Sequence, residues 1–199
     1  MIYPQRVGFF LHLQDLINDY LVGKSDLVGI EIGSYAGESA SMFLKSNAFK
    51  KLYCIDPWLM GYDPLDPSAD KTVYEAEIHF DYKHFLNPIV KKLKMFSEDA
   101  VSLFEDESID FIYIDGCHTY EAVKRDLNNY FPKIKIGGII AGHDYVDPGP
   151  DKPIHIGGVK TAVDEFFGVP PISRYEDFSW VHIKNKKKIN EQVLNYSIL

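Results

Sequence analysis

Five short segments carry the residue types that bind ligands or move protons. They are Glu31-Ile32-Gly33-Ser34-Tyr35-Ala36-Gly37, Asp56, Ser97-Glu98-Asp99, Asp115-Gly116-Cys117-His118 and His143-Asp144. The first lets backbone approach a ligand closely and opens a helix. It lacks the Lys-Ser/Thr ending of a phosphate loop, and Tyr35 fills the place of the second glycine in G-x-G-x-x-G. That side chain crowds a pyrophosphate but tolerates a ligand without one. Asp56, placed directly after an apolar run, suits a carboxylate that accepts hydrogen bonds from the two hydroxyls of a ribose. Strand, glycine turn, helix, strand and acid in that order favour an adenosine-type ligand over a plain capped turn. Asp115 and His118 put an acid and an imidazole three residues apart, with Asp144 further along the chain. A lone aspartate there would be a strand-end turn and His118 a helix cap. A second acid on the neighbouring strand end favours chemistry. Cys117 has no third group to orient it as a nucleophile.

The elements that must position these residues follow from periodicity. Residues 9–21 repeat apolar side chains at helical spacing, and Gly23 stops them. Residues 27–32 and 52–56 read as buried strands on either side of a helix over 38–49. Residues 57–67 form a proline- and aromatic-rich loop, followed by a helix over 71–85. A third strand is expected over 93–96 and a short helix over 98–103. A fourth strand spans 109–114 and a helix 119–131. Gly137-Gly138 reads as a turn before a fifth strand, 139–142. A loop over 147–158, a helix over 159–167 and a strand pair, 172–175 and 180–183, close the chain. The alternation gives an α/β fold: a Rossmann-like, open, mostly parallel seven-stranded sheet with helices on both faces and an antiparallel strand pair at the C-terminal end. In such sheets ligands sit beyond the carboxyl ends of the strands, where all five segments fall.

Composition narrows the function classes. The chain has 199 residues, 46% hydrophobic and 14% aromatic, which suits a single domain over 1–199 with an ample core. Residues 1–25 are expected to pack on it as an N-terminal helix, and residues 57–90 to form a lid or acceptor pocket. A formal charge of −8 repels phosphate, so nucleic acid is not an expected partner. No apolar stretch approaches the roughly 20 residues of a membrane span. Two cysteines and no signal-peptide pattern point to a cytoplasmic protein. The lysines at 186–188 read as a solvated turn.

The runs Glu31-Ile-Gly-Ser-Tyr-Ala-Gly-Glu-Ser, Asp56-Pro-Trp, Ile114-Asp-Gly-Cys-His-Thr-Tyr and Gly137-Gly-Ile-Ile-Ala-Gly-His-Asp-Tyr resemble class I S-adenosylmethionine-dependent methyltransferases. Within these they are most similar to the metal-dependent macrolide-sugar O-methyltransferases and, more distantly, to the catechol-type enzymes. The resemblance spans residues 27–167. It implies that Glu31, Gly33 and Gly37 line the methionine end of S-adenosylmethionine and that Ser34 and Tyr35 also contact the cofactor. Asp56 would bind the ribose, flanked by Pro57 and Trp58. Ser97 and Glu98 fall at the adenine, with Asp115 bordering the cofactor. Asp115 and Asp144 fall where relatives hold a divalent ion, Mg or Mn, and His118 where they hold the catalytic base. This chain has His143 where the relatives place an acid; imidazole suits Mn²⁺, Fe²⁺ or Zn²⁺ better than Mg²⁺.

The implied reaction is transfer of a methyl group to a hydroxyl of a small molecule or glycan, and the resemblance also implies self-association into a homo-oligomer. The cofactor carries the activated methyl, so the protein must align donor and acceptor and remove a proton. An NAD-dependent oxidoreductase, a non-catalytic cofactor-binding module and a metal-free N-methyltransferase are the alternatives.

Overall fold

The computed structural model describes residues 11–62, 72–146 and 158–185. In chain order the elements are α1 (Leu11–Tyr20), β1 (Leu27–Ile32), α2 (Glu38–Lys45), β2 (Phe49–Asp56), α3 (Thr72–His84), β3 (Val90–Lys94), α4 (Ser97–Ala100), β4 (Ile109–Ile114), α5 (Tyr120–Tyr130), β5 (Ile134–Gly142), α6 (Gly158–Phe167), β6 (Ser173–Arg174) and β7 (Trp180–Ile183). One seven-stranded sheet runs in the order β3-β2-β1-β4-β5-β7-β6. β1 to β5 are parallel, and β7 pairs antiparallel with both β5 and β6. This is the Rossmann-like sheet with an antiparallel C-terminal pair that the sequence predicts.

Strand order reverses between β1 and β4, so the crevice opens beyond Ile32 and Ile114. Ile30, Ile32, Ile112 and Ile114 face one layer, where they pack with Val123, Leu127 and Tyr130 of α5 and Val159, Val163 and Phe167 of α6. Leu52, Cys54, Phe111 and Tyr113 face the other, against Leu13, Leu16 and Ile17 of α1, Phe43 of α2 and Phe80 of α3. Burial of each such side chain contributes about 1.5–3 kcal/mol. Both faces being covered, the strands read as near-continuous apolar runs.

Three expected boundaries move. α2 ends at Lys45, and β2 starts three residues earlier than expected. The third strand is Val90–Lys94 rather than 93–96. It is a sheet edge carrying Lys91, Lys92 and Lys94, which blunt the edge and dilute the apolar signal. Gly137-Gly138 is no turn but lies inside β5. There the register jumps between Ile109↔Ile134 and Phe111↔Ile139, with Gly137 at φ 80°. That is a bulge, and glycine serves its positive φ. Its amide donates to the Lys184 carbonyl (2.8 Å), tying the bulge to the end of β7. No helix among the described residues is long and apolar enough to cross a membrane. The loop at 147–157, with His155, and the lysines at 186–188 lie outside the described residues.

Candidate active site

A cleft of about 570 Å³ opens beyond the strand ends, within the size range of small-ligand sites. Gly33, Ser34 and Tyr35 line it after β1, Asp56 and Pro57 after β2, Ser97 and Glu98 at α4, and Asp115 to Thr119 between β4 and α5. Four sequence-distant segments therefore meet in one place.

Gly33 holds the crossing point. Its φ is 86°, and a Cβ there would lie 2.0 Å from the Asp115 carbonyl oxygen. Its amide donates to the Ile55 carbonyl (2.9 Å), and the Asp115 amide donates to the Ile32 carbonyl (2.8 Å). The ends of β1, β2 and β4 are thus pinned side by side. Asp56 is fixed by two backbone donors: the Tyr35 amide reaches Oδ2 at 2.9 Å and the Trp58 amide reaches Oδ1 at 2.7 Å. Burial raises its pKa against the pull of these two amides. Each oxygen keeps a lone pair for a further donor.

Glu31 lies beneath the cleft floor, fully buried, and accepts from Ser39 Oγ. Among the described residues its Oε2 and the nearby Ser34 Oγ meet no partner in good hydrogen-bond geometry. Two orphaned buried polar atoms under a cleft mark a place for a ligand donor. Burial drives the Glu31 carboxyl up to about 7, against neighbouring hydroxyls that lower it. The folded protein therefore holds a proton that the unfolded chain releases near its ordinary value of 4.5. Stability from this group is complete below that value and is lost as pH rises through 7. Urea unfolding at pH 4.5 and pH 8 should show wild type losing up to about 3 kcal/mol more than Glu31→Gln. Equal pH dependence in the two proteins would place Glu31 in water.

Two expected contacts fall elsewhere. Trp58 is 1% exposed and faces away from the cleft, packed on Phe80 with Lys92 Nζ 4.7 Å from its ring centroid. Its Nε1 donates to the Tyr35 carbonyl (2.8 Å), so it braces the glycine turn instead of flanking a ligand. Gly37 is needed for close packing: a Cβ there would lie 2.7 Å from His84 Nε2. Of the segment 57–90, Pro57, Tyr62 and Val73 line the cleft, while Ala76, Phe80 and His84 of α3 turn into the interior. Residues 63–71 lie outside the described residues.

The proton-handling end is compact. His118 lies between two carboxylates, its Nε2 3.3 Å from Asp115 Oδ1 and its Nδ1 3.1 Å from Asp144 Oδ2. Burial pulls its pKa down, but Asp115 and Asp144 outweigh that and hold it above the ordinary value. His143 Nδ1 is 3.1 Å from Asp144 Oδ1 and 3.8 Å from Asp115 Oδ1. Burial lowers it as well, yet the same acids push it up to about 9. Thr119 caps α5 by accepting from the Ala122 amide, which fixes the segment after His118. Gly158, at the start of α6, packs so closely that a Cβ would lie 2.6 Å from the His118 carbonyl oxygen. That constraint is invisible in the sequence.

Asp115, His143 and Asp144 do come together, but as pairs with the two imidazoles. Among the described residues no three His, Cys, Asp or Glu side chains are arranged to hold a metal ion. This donor set, each carboxylate turned onto an imidazole, does not fit a divalent ion. Asp126 and Arg125 also line the cleft and escape the motif reading, and Ser39, inside the first motif, lines it without having been singled out. Asp126 leaves one trace in the sequence: it falls on the apolar stripe of α5, between Val123 and Tyr130.

A family model described as a methyltransferase domain matches residues 30–145, more than half of the chain. The chain belongs to this methyltransferase family. Two curated relatives carry names that state no function. Protein R132 of Acanthamoeba polyphaga mimivirus is 32% identical over 146 residues, which cover 70% of this chain and 61% of that protein. Protein y4gI of Sinorhizobium fredii is 26% identical over 119 residues, 58% of this chain and 13% of that protein. The methyltransferase thus spans less than two thirds of either relative. Among solved structures it resembles a SAM-dependent methyltransferase from Aquifex aeolicus, with a TM-score of 0.60, 16% identity and coverage of 90% and 91% of the two chains. The N-methyltransferase NodS from Bradyrhizobium japonicum WM9 gives 0.59, 12%, 91% and 96%. The O-methyltransferase NovP gives 0.55, 17%, 90% and 79%. At these identities the likeness is one of fold: a class I, S-adenosylmethionine-dependent methyltransferase fold.

Proposed function

We propose that this methyltransferase moves the methyl group of S-adenosylmethionine to a hydroxyl of a small molecule or glycan, with His118 as general base. The observation that carries the proposal is the meeting of Asp56, the orphaned atoms of Glu31 and Ser34, and the His118–Asp144 pair around one cleft.

The residues present fit the cofactor. Asp56 offers two oriented acceptors to the ribose hydroxyls, and Glu31 and Ser34 offer unsatisfied polar atoms below Gly33 to the ammonium end. They fit a dinucleotide poorly. The amides of Gly33, Ser34, Tyr35 and Gly37 all donate within the protein, and Glu38 opens α2 with a negative charge. No amide of those four is left for a pyrophosphate.

S-adenosylmethionine, when bound, supplies a methyl group already activated by its sulfonium sulfur. The chain's own residues then position and deprotonate. His118 Nδ1 is held by Asp144, which lies outside the cleft lining, while Nε2 turns toward Asp115, within it. In the neutral imidazole Nδ1 keeps its proton on Asp144, and Nε2, without the proton it gives to Asp115 in the imidazolium, takes the proton of the acceptor hydroxyl as that oxygen receives the methyl group. The bound cofactor would supply the methyl carbon and keep the electron pair of the carbon–sulfur bond on its sulfur as the leaving group. Asp144 stabilises the imidazolium that forms.

Two measurements test this reading. Asp56→Ala should weaken S-adenosylhomocysteine binding by roughly 100-fold, the loss of two hydrogen bonds to a charged group. Transfer of labelled methyl should run to sugars or alcohols in preference to amines. Transfer to amines alone would overturn the hydroxyl assignment.

A further inference from the structure

α3 is apolar on two opposite faces. Val73, Ala76, Phe80 and His84 turn into the interior. On the far side Tyr74, Ile78 and Tyr82 follow one another at four-residue spacing. The Phe85 amide still donates to the Asp81 carbonyl (2.8 Å), so Phe85 and Leu86 extend the stripe past the end of the helix. These five side chains are 47–89% exposed. A surface helix needs one apolar stripe to face the core, and α3 carries a second. Exposed apolar residues scattered singly are ordinary, but five in one stripe mark an interface.

Size and shape narrow the occupant. At about 200 Å² for a whole aromatic side chain, the stripe exposes roughly 700 Å². The largest apolar patch of a typical monomer covers about 300–600 Å², and a stable interface takes about 800 Å² from each partner. A groove of about 520 Å³, lined by Asp81, Tyr82, Lys83, Phe85, Leu86 and Asn87, opens at the end of the stripe.

The flanking charges complement themselves. Glu75 and Lys83 lie on one flank, four residues to either side of His79. A two-fold axis crossing α3 at Ile78 and His79 sets two copies of the helix antiparallel. Tyr74 then faces Tyr82 of the second copy, and Glu75 faces Lys83. Lys83 Nζ already donates to the Ala36 carbonyl and to Glu38, which leaves its third proton for Glu75. The other flank carries Glu77 and Asp81, which approach each other across the same axis. Lys92 neutralises both within their own chain, and Lys94 adds to Glu77. Matching of a patch to itself is the requirement of an isologous dimer.

We infer that the outer stripe of α3 is the two-fold interface of a homodimer, with Ile78 on the axis. The dimer needs neither cofactor nor acceptor.

The test is sedimentation equilibrium on the full chain. Wild type should reach twice the chain mass with a Kd of roughly 1 μM or below. Ile78→Lys brings two ammonium groups together on the axis and should weaken association by about 100-fold or more. Ile78→Cys, in a Cys117→Ser background, should be joined into a covalent dimer by a short bismaleimide, because a residue on the axis meets itself. Leu103→Cys, exposed beside Phe104 of the other core layer, should not. If Ile78→Lys does not fold, the two cysteine variants decide. A wild type that stays monomeric at about 100 μM overturns the inference. That is also the outcome if residues 1–10 or 186–199 of the same chain cover the stripe. A dimer that persists in Ile78→Lys, or equal cross-linking at Ile78→Cys and Leu103→Cys, overturns it as well and moves the interface to another face.

Discussion

Gly33→Ala is expected to destabilise the protein by about 2–5 kcal/mol and to abolish cofactor binding. Two costs add. Alanine at φ 86° carries roughly 1–2 kcal/mol of backbone strain. Its Cβ would also lie 2.0 Å from the Asp115 oxygen and 2.4 Å from the Asp115 carbonyl carbon. These are backbone atoms at a strand end and cannot rotate away, so relief requires β1 and β4 to part, at a further cost of about 1–3 kcal/mol. Parting them moves Asp115, and with it the carboxylate beside His118. For a chain of this size the melting temperature should fall by about 10 °C. Gly23→Ala is the control. Gly23 has φ 81° with nothing within 4 Å of a built Cβ, so it isolates strain from collision. Gly33→Ala should be the more damaging of the two by at least about 1 kcal/mol. Equal losses would show that the strand ends are not pinned at Gly33.

His118→Ala is expected to lower methyl transfer by about 100-fold or more while changing S-adenosylhomocysteine affinity by less than about threefold. The division follows from position. His118 lies at the β4 end, whereas Asp56, the proposed ribose ligand, lies at the β2 end. Deleting the imidazole removes the proton acceptor and leaves Asp115 and Asp144 facing each other without their bridge. Asp144→Asn should reproduce part of the loss, since the amide holds Nδ1 but no longer stabilises the imidazolium. Steady-state kinetics on the methylated acceptor, with calorimetry on the product nucleoside, separate the two readouts. Unchanged turnover in His118→Ala would assign the base elsewhere.

The sheet was legible where strands are buried on both faces. Leu27–Ile32 and Ile109–Ile114 are mainly apolar runs, each with one acid, followed directly by a glycine or an aspartate, and both boundaries match. It was less legible at β3, where an edge strand carries three lysines, and at Gly137, where glycine marks a bulge as readily as a turn. The cleft was legible where topology alone decides placement, since residues directly after parallel strands must share one rim. Asp56, Asp115 and Ser97 are of that kind. Trp58 was not, because an aromatic beside a site acid looks alike in sequence whether it faces ligand or core. Asp126 stayed hidden for the opposite reason: it reaches the cleft from the middle of a helix, and a helical stripe is searched for apolar residues.

The central claim is that the crevice between Gly33 and Asp56 binds a sulfonium nucleoside. Titrating S-adenosylhomocysteine into the folded chain by isothermal calorimetry tests it most directly. The expected result is saturable heat at one site per chain with a raised melting temperature, both lost in Asp56→Ala. Absence of heat and of any thermal shift, with S-adenosylhomocysteine and S-adenosylmethionine alike, would contradict it.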